Sequence, residues 1–257
     1  MISSKIESGL NGSPSIPGDK SISHRSIIIP SISKGVTEIK NILKSDDVQN
    51  TLSAFKKMGV KIEENSNLIT VHGNGLNSLK KPDQDLYLGN SGTSARLLAG
   101  LLSWQKFNSR LTGDKSLSSR PMKRISDPLS KMNAKIITTN GSLPILIKGN
   151  KLSNAEINIK VPSAQIKSGV MLAALNTEGT TSIIENNVTR DHTEIMFEAF
   201  NADIDIDKID NKKIIKINGG KELTSKNIDV PSDLSSSAFF IVSALINSNS
   251  KLLLKNI

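Results

Sequence analysis

Cationic and hydroxyl side chains recur at the heads of apolar stretches in this sequence. Lys20 and Arg25 flank a Ser21-Ile22-Ser23-His24 run. Arg96 follows Ser91-Gly92-Thr93. Gln165 and Lys167 follow Ser163-Ala164, and Arg120 and Arg190 open two further helix-like stretches. The planar fork of arginine suits bidentate contact with phosphate or carboxylate. Taken singly, each residue reads equally well as a solvent-facing charge. Taken together, beside Ser, Thr and Asn residues able to cap helices, they point to an anion site at helix N-termini. Free N–H groups and the positive dipole end favour negative charge there.

The same segments exclude other chemistry. Gly89-Asn90-Ser91-Gly92-Thr93 lets a backbone approach a ligand closely. Gly18-Asp19-Lys20-Ser21 imitates a nucleotide P-loop, but Asp19 separates the glycine from the lysine and position 13 is serine, so ATP binding is not expected. His24, His72 and His192 have no metal-ligand spacing, and cysteine is absent. His24 and His192 read as hydrogen-bonding supports rather than general bases, and His72 as a strand or turn residue. No metal or organic cofactor is expected.

The elements that must position these residues repeat. Serines at 21, 91, 163 and 232 each head an apolar, helix-length stretch, at spacings of 70, 72 and 69 residues. Pro30 ends the first of these helices early. A short strand follows each, then a second helix in three units: 46–60, 120–135 and 190–203. Leu52, Phe55 and Met58, and Ile195, Phe197 and Phe200, stand near helical spacing. Pro121 suits a first turn, and Pro128 shortens or kinks its helix. Hairpins close the units around Asn65-Ser66-Asn67, Asn140-Gly141 and Asp210-Asn211. Lead strands are expected at 13–16, 86–88, 157–161 and 228–230. The fourth unit stops after one helix and one strand, so the chain reads as a fragment. The alternative is an ordinary C-terminal strand pairing with the N-terminal segment.

Composition agrees with a small-anion partner. The net charge is +9, from 33 Lys and Arg against 24 Asp and Glu, while aromatic residues are only 3%, too few for base-stacking platforms. Lys80-Lys81 and Lys212-Lys213 read as solvated charges, and no nucleic-acid partner is expected. No apolar run reaches the about 18 residues of a membrane helix, and Met1–Leu10 lacks an apolar signal core. A cytoplasmic location is the expectation.

Pro17-Gly18-Asp19-Lys20-Ser21-Ile22-Ser23-His24-Arg25 resembles the opening signature of the 5-enolpyruvylshikimate-3-phosphate (EPSP) synthases. Leu88 to Thr93 with Arg96, and Leu111-Thr112-Gly113-Asp114 with Arg120-Pro121, resemble its second and third signatures. Ser163 to Ser168 and Thr189 to Glu194 look like the branch that includes glyphosate-tolerant bacterial enzymes. The resemblance implies an α/β (α+β) fold. One inside-out α/β barrel lobe of three βαβαββ repeats, helices inward, would span 18–230, with repeats near 18–85, 86–155 and 156–230. Residues 1–17 and 231–257 would belong to an incomplete second lobe.

The resemblance also implies an activity: transfer of the enolpyruvyl group of phosphoenolpyruvate to the 5-hydroxyl of shikimate 3-phosphate, by a monomer when full length. Lys20 would contact both substrates and assist proton transfer. Ser21, Arg25, Ser163, Ala164, Gln165 and Arg190 would hold shikimate 3-phosphate. Asn90, Gly92, Thr93, Arg120 and Gln165 would surround phosphoenolpyruvate. The family's acidic proton-transfer residues find no match here, and Asp233 reads as structural. Gly92 stands where tolerant relatives carry alanine, which implies a glyphosate-sensitive parent. A UDP-N-acetylglucosamine enolpyruvyl transferase ranks behind, because Lys20 is followed by serine rather than asparagine and cysteine is absent. An inactive fragment that only captures shikimate 3-phosphate is the other alternative.

Overall fold

The recurring polar head and apolar body of each unit produce a recurring helix, and the computed structural model shows what surrounds it for residues 9–210 and 212–257. After a short strand β1 (Asn11–Gly12), the first unit runs α1 (Lys20–Ser31), β2 (Ser33–Lys40), α2 (Asp46–Lys57), β3 (Lys61–Glu64) and β4 (Leu68–Asn74). The second runs β5 (Leu86–Tyr87), α3 (Gly92–Leu102), β6 (Asn108–Thr112), α4 (Lys115–Ser118), α5 (Lys123–Ser130), β7 (Lys135–Thr139) and β8 (Ser142–Lys148). The third runs β9 (Glu156–Ile159), α6 (Ala164–Ala174), β10 (Thr180–Glu185), α7 (His192–Ala199), β11 (Ile204–Ile209) and β12 (Lys212–Asn218). Then come β13 (Leu223–Thr224), β14 (Ile228–Asp229), α8 (Leu234–Ile246) and β15 (Lys251–Leu252).

Each unit makes one mixed sheet. The orders are β5-β6-β8-β7 and β9-β10-β12-β11, with a parallel lead pair and antiparallel remainder. Strands alternate: Ile69 and Val71, Leu143, Ile145 and Ile147, and Ile215 and Ile217 face inward, while their neighbours face solvent. α1, α3 and α6 are buried nearly all round, as the inner layer of such an arrangement must be. The Asn140-Gly141 turn has φ of +50° and +78°, as a two-residue hairpin requires. In the third hairpin Asp210 has φ of +53°, and Asn211 lies outside the described residues.

Several expectations are corrected. Residues 13–16 form no strand; the sheet of the first unit is completed by β13 and β14, both parallel to β2. The strand expected to lead the fourth unit thus closes the ring of the first three. β1 pairs in parallel with β15, 240 residues away, so the N-terminal segment leads the fourth unit. Where the chain crosses, Asp19 N–H donates to the Pro231 carbonyl and Asp233 N–H to that of Pro17, both at 2.8 Å. The helix caps are Asp19, Ser91, Ser163 and Asp233, whose carboxylates and hydroxyls accept from the first-turn N–H groups. Ser21 therefore lies inside α1. Arg120 and Pro121 form a turn between α4 and α5 instead of opening a helix, because Asp114 caps α4 first. α1 runs one residue past Pro30, and Ile195 is exposed while Phe197 and Phe200 are buried.

Candidate functional site

Two glycines set the geometry of the site. A Cβ on Gly100 of α3 would lie 1.8 Å from the Gly169 carbonyl oxygen of α6, and a Cβ on Gly169 would lie 2.6 Å from that of Arg96. The two helices thus touch backbone to backbone, an approach only glycine permits. Trp104 Nε1 donates to the Leu172 carbonyl at 3.0 Å and fixes their far ends. Their first turns are brought together as a result. Gln165 Nε2 donates to Thr93 Oγ1 at 3.0 Å, and Arg96 Nη1 donates to Gln165 Oε1 at 2.8 Å.

Beside this junction lies a cavity of about 500 Å³ lined by Ser21, Arg25, Ser163, Ala164, Gln165 and Arg190. Thr93, Thr189 and His192 complete much of its wall. Arg25 is buried, and its guanidinium hydrogen-bonds only to neutral groups, with the Glu194 and Asp19 carboxylates acting on it from further off. It donates to Thr193 Oγ1 and Ser168 Oγ, both at 2.6 Å, and to the Ser21 carbonyl at 2.8 Å. Burial pushes its pKa down to about 10, so it stays charged at neutral pH. A buried cation whose hydrogen bonds go to neutral partners attracts an anion.

A second cluster adjoins the first through Arg96. Arg120 donates to the Asn90 backbone carbonyl and side-chain oxygen, and Asn90 Nδ2 donates to Asp114 Oδ2 at 2.8 Å. Gly92 leaves the space between two guanidiniums: a Cβ there would lie 2.7 Å from Arg96 Nη1 and 3.1 Å from Arg120 Nη1. Burial, then Arg120 and Arg124, lowers the Arg96 pKa. Lys20 heads α1 outside the cavity wall, and its ammonium pairs with Asp47 of α2.

His24 is fully buried at the junction of α1, α2 and α3. Its Nδ1 lies 2.8 Å from Thr51 Oγ1 and 3.2 Å from Ser94 Oγ. Burial pushes its pKa down to about 3, so it is neutral and serves as a hydrogen-bonding hub. Burial also lowers the pKa of His192, which faces the cavity.

Sequence reasoning placed Lys167 near the ligand and Lys213 in solvent, and both are corrected. Lys167 Nζ lies 2.8 Å from Glu185 and 2.7 Å from Glu194, and Lys213 Nζ lies 2.8 Å from Glu194, all four side chains buried. This neutral quartet braces the cavity: Glu185 accepts from Thr189 Oγ1 at 2.5 Å, and Glu194 follows Thr193, which holds Arg25. One signal was available. Strand alternation puts Lys213 on the inward face with Ile215 and Ile217.

A sequence profile of EPSP synthase (3-phosphoshikimate 1-carboxyvinyltransferase) matches residues 5–257. The chain belongs to the EPSP synthase family. It is 51% identical over 243 residues to the 3-phosphoshikimate 1-carboxyvinyltransferase of Ruthia magnifica subsp. Calyptogena magnifica, covering 94% of this chain and 55% of that one. It is 46% identical to the enzyme of the same name from Streptococcus mutans, covering 97% and 58%. Among solved structures, EPSP synthase from Acinetobacter baumannii superposes with a TM-score of 0.90 at 47% identity, over 97% of this chain and 56% of that one. The chain therefore spans little more than half the length of the EPSP synthases it matches. Among the described residues, no helix is long and apolar enough to cross a membrane.

Proposed function

We propose that this chain supplies the shikimate 3-phosphate-binding half of an EPSP synthase. The observation that carries the reading is the cavity around buried Arg25, where Ser21, Ser163, Ala164, Gln165 and Arg190 converge. Arg25, Arg190 and the capped start of α6 match a phosphate and a polyhydroxylated carboxylate ring. The Arg96, Arg120, Gly92, Thr93 and Asn90 cluster suits phosphoenolpyruvate, with Gln165 shared between the two sites. Lys20, whose ammonium pairs with Asp47 outside the cavity wall, contacts both substrates and assists proton transfer once they are bound.

In the proposed reaction the 5-hydroxyl of shikimate 3-phosphate gives up its proton and its oxygen bonds to C2 of phosphoenolpyruvate, while C3 takes a proton. The C2–O bond to phosphate then breaks and C3 loses a proton, which gives the enolpyruvyl ether and inorganic phosphate. Positive charge builds up at C2, while the guanidiniums and helix ends hold the negatively charged carboxylate and phosphate on either side of it in place. The lobe that does the binding spans 18–230, and residues 1–17 and 231–257 belong to a second lobe. The full-length enzyme works as a cytoplasmic monomer.

Calorimetric titration of the purified 257-residue chain with shikimate 3-phosphate tests this. Weak, saturable binding is expected, lost by about a hundredfold in Arg25→Met. Phosphate release from the two substrates together should be negligible. Absence of any binding to a folded chain overturns the assignment of the cavity; turnover near that of a complete enzyme overturns the half-site reading.

A further inference from the structure

A second cavity, of about 280 Å³, opens between α5 and β9. One wall is made by Arg124, Asp127 and Pro128 of α5, spaced so that they fall on one face of the helix, and by Lys131 just past its end. Opposite stand Ile157 and Ile159 of β9, the free edge strand of its sheet, and Ile166 of α6 closes the floor. The three isoleucines are buried, while Arg124, Lys131 and Lys160 are exposed at the rim. Among the described residues, none of these three cations pairs with a carboxylate. The cavity thus has an apolar floor and a rim of three cations against one carboxylate, Asp127.

At all three unit junctions the same hydrogen bond ties the end of the second helix to the next lead segment. Lys80 N–H donates to Met58, Ser153 to Met132 and Thr224 to Phe200, each at 2.9 Å. At the first junction α2 then packs against β5. At the second, α5 stops after 8 residues with Pro128 in its last turn, and the corresponding space is open. Both cavities share a wall: Pro162 to Gln165 line the one around Arg25, and Asn158 to Val161 with Ile166 line this one.

We propose that the cleft between α5 and β9 is a separate site for a small amphipathic anion, an aryl or alkyl carboxylate, whose occupancy is transmitted to the Ser163–Gln165 turn. Its apolar part rests on Val161 and Pro128, over the buried Ile157, Ile159 and Ile166, and its carboxylate faces Arg124, Lys131 and Lys160. The volume accommodates about one fused ring system and is too small for a peptide strand added to the edge of β9. The cleft lies outside the proposed substrate cavity, so this inference does not depend on which substrates bind there.

The probe is 2-naphthoate, titrated into the 257-residue chain and followed by isoleucine methyl and backbone amide NMR shifts. Saturable shifts of Ile157, Ile159 and Ile166 are expected, with a dissociation constant on the order of 1 mM. Amide shifts of Ala164 and Gln165 should follow the same curve. Lys131→Glu with Lys160→Glu should weaken binding by about tenfold without altering the melting profile. Shifts confined to the methyls of α8, shifts confined to the Arg25 cavity, or undiminished affinity in the double variant each overturn the proposal. So does failure to saturate by about 20 mM.

Discussion

Arg25, Gly92 and His24 show how single residues are committed by burial. A Cβ at Gly92 meets two guanidiniums head on, so Gly92→Ala must push Arg96 and Arg120 outward. In the full-length enzyme this variant should raise the KM for phosphoenolpyruvate by about tenfold, or ~1.4 kcal/mol, and should reduce inhibition by glyphosate. Steady-state kinetics with and without the inhibitor checks both, and an unchanged KM would count against the assigned cluster. His24 makes a pH prediction. Its folded pKa lies below its unfolded value, so the unfolded chain binds the proton more readily. The stability that neutral His24 provides is present above about pH 6.5 and is lost as pH falls towards about 3, at about 1.4 kcal/mol per pH unit. Urea denaturation between pH 6.5 and 5 should show that slope in the native chain and a shallower one in His24→Gln. Equal slopes would mean that the histidine is not buried in its neutral form.

Elements carry the site as much as residues do. The contact of α3 with α6 at Gly100 and Gly169 brings Thr93, Arg96 and Gln165 within hydrogen-bonding distance. Gly100→Ala should therefore cost about 1–3 kcal/mol of stability and also weaken binding at the Arg25 cavity, though it touches no ligand. Chemical denaturation and titration with shikimate 3-phosphate measure the two effects; full affinity in a destabilised variant would uncouple the crossing from the site. Much at this scale was readable from sequence. The repeat, the three hairpins and the inner helices follow from polar caps, alternation and turn residues, all of which are local. What escaped was non-local. Nothing in the β-propensity of 228–230 says that these residues join a strand 189 positions earlier, at Ile39, rather than the helix that follows them. Lys167 looks like a ligand-site cation in a linear reading because its carboxylates, Glu185 and Glu194, lie in other elements. That Ser21, Arg25, Ser163, Ala164, Gln165 and Arg190 line one cavity agrees with a grouping that came from motif resemblance, which carries long-range proximity that local patterns do not.

For the whole molecule, β13 and β14 complete the sheet of the first unit by pairing with β2, and the expectation is that residues 18–230 behave as one unit of stability. Leu223 and Val230 are fully buried, and both strands sit on β2. A chain of residues 18–230 should unfold cooperatively and bind shikimate 3-phosphate as the 257-residue chain does. Ending it at 219 should strip the edge of β2 and cost several kcal/mol, on the order of two buried aliphatic side chains. Thermal denaturation of the two pieces decides this, and equal stability would show that ring closure contributes little. The longer chain also exposes Phe239, Leu245 and Ile246 on α8, with Phe239 78% accessible. Sedimentation should show it self-associating where 18–230 does not.

The pairing of β1 with β15 has a consequence for synthesis. Leu10 N–H reaches Ser250, and Lys251 N–H reaches the Leu10 carbonyl, across 240 residues. At about 5–20 residues per second, a ribosome needs on the order of 10–50 s to deliver the second partner after the first. The hairpins between them need only their own neighbours and can close as they emerge. Residues 10–12 must therefore wait for this partner beside units that have already folded. A protease or chaperone arriving in that interval meets a finished body with its first strand still open.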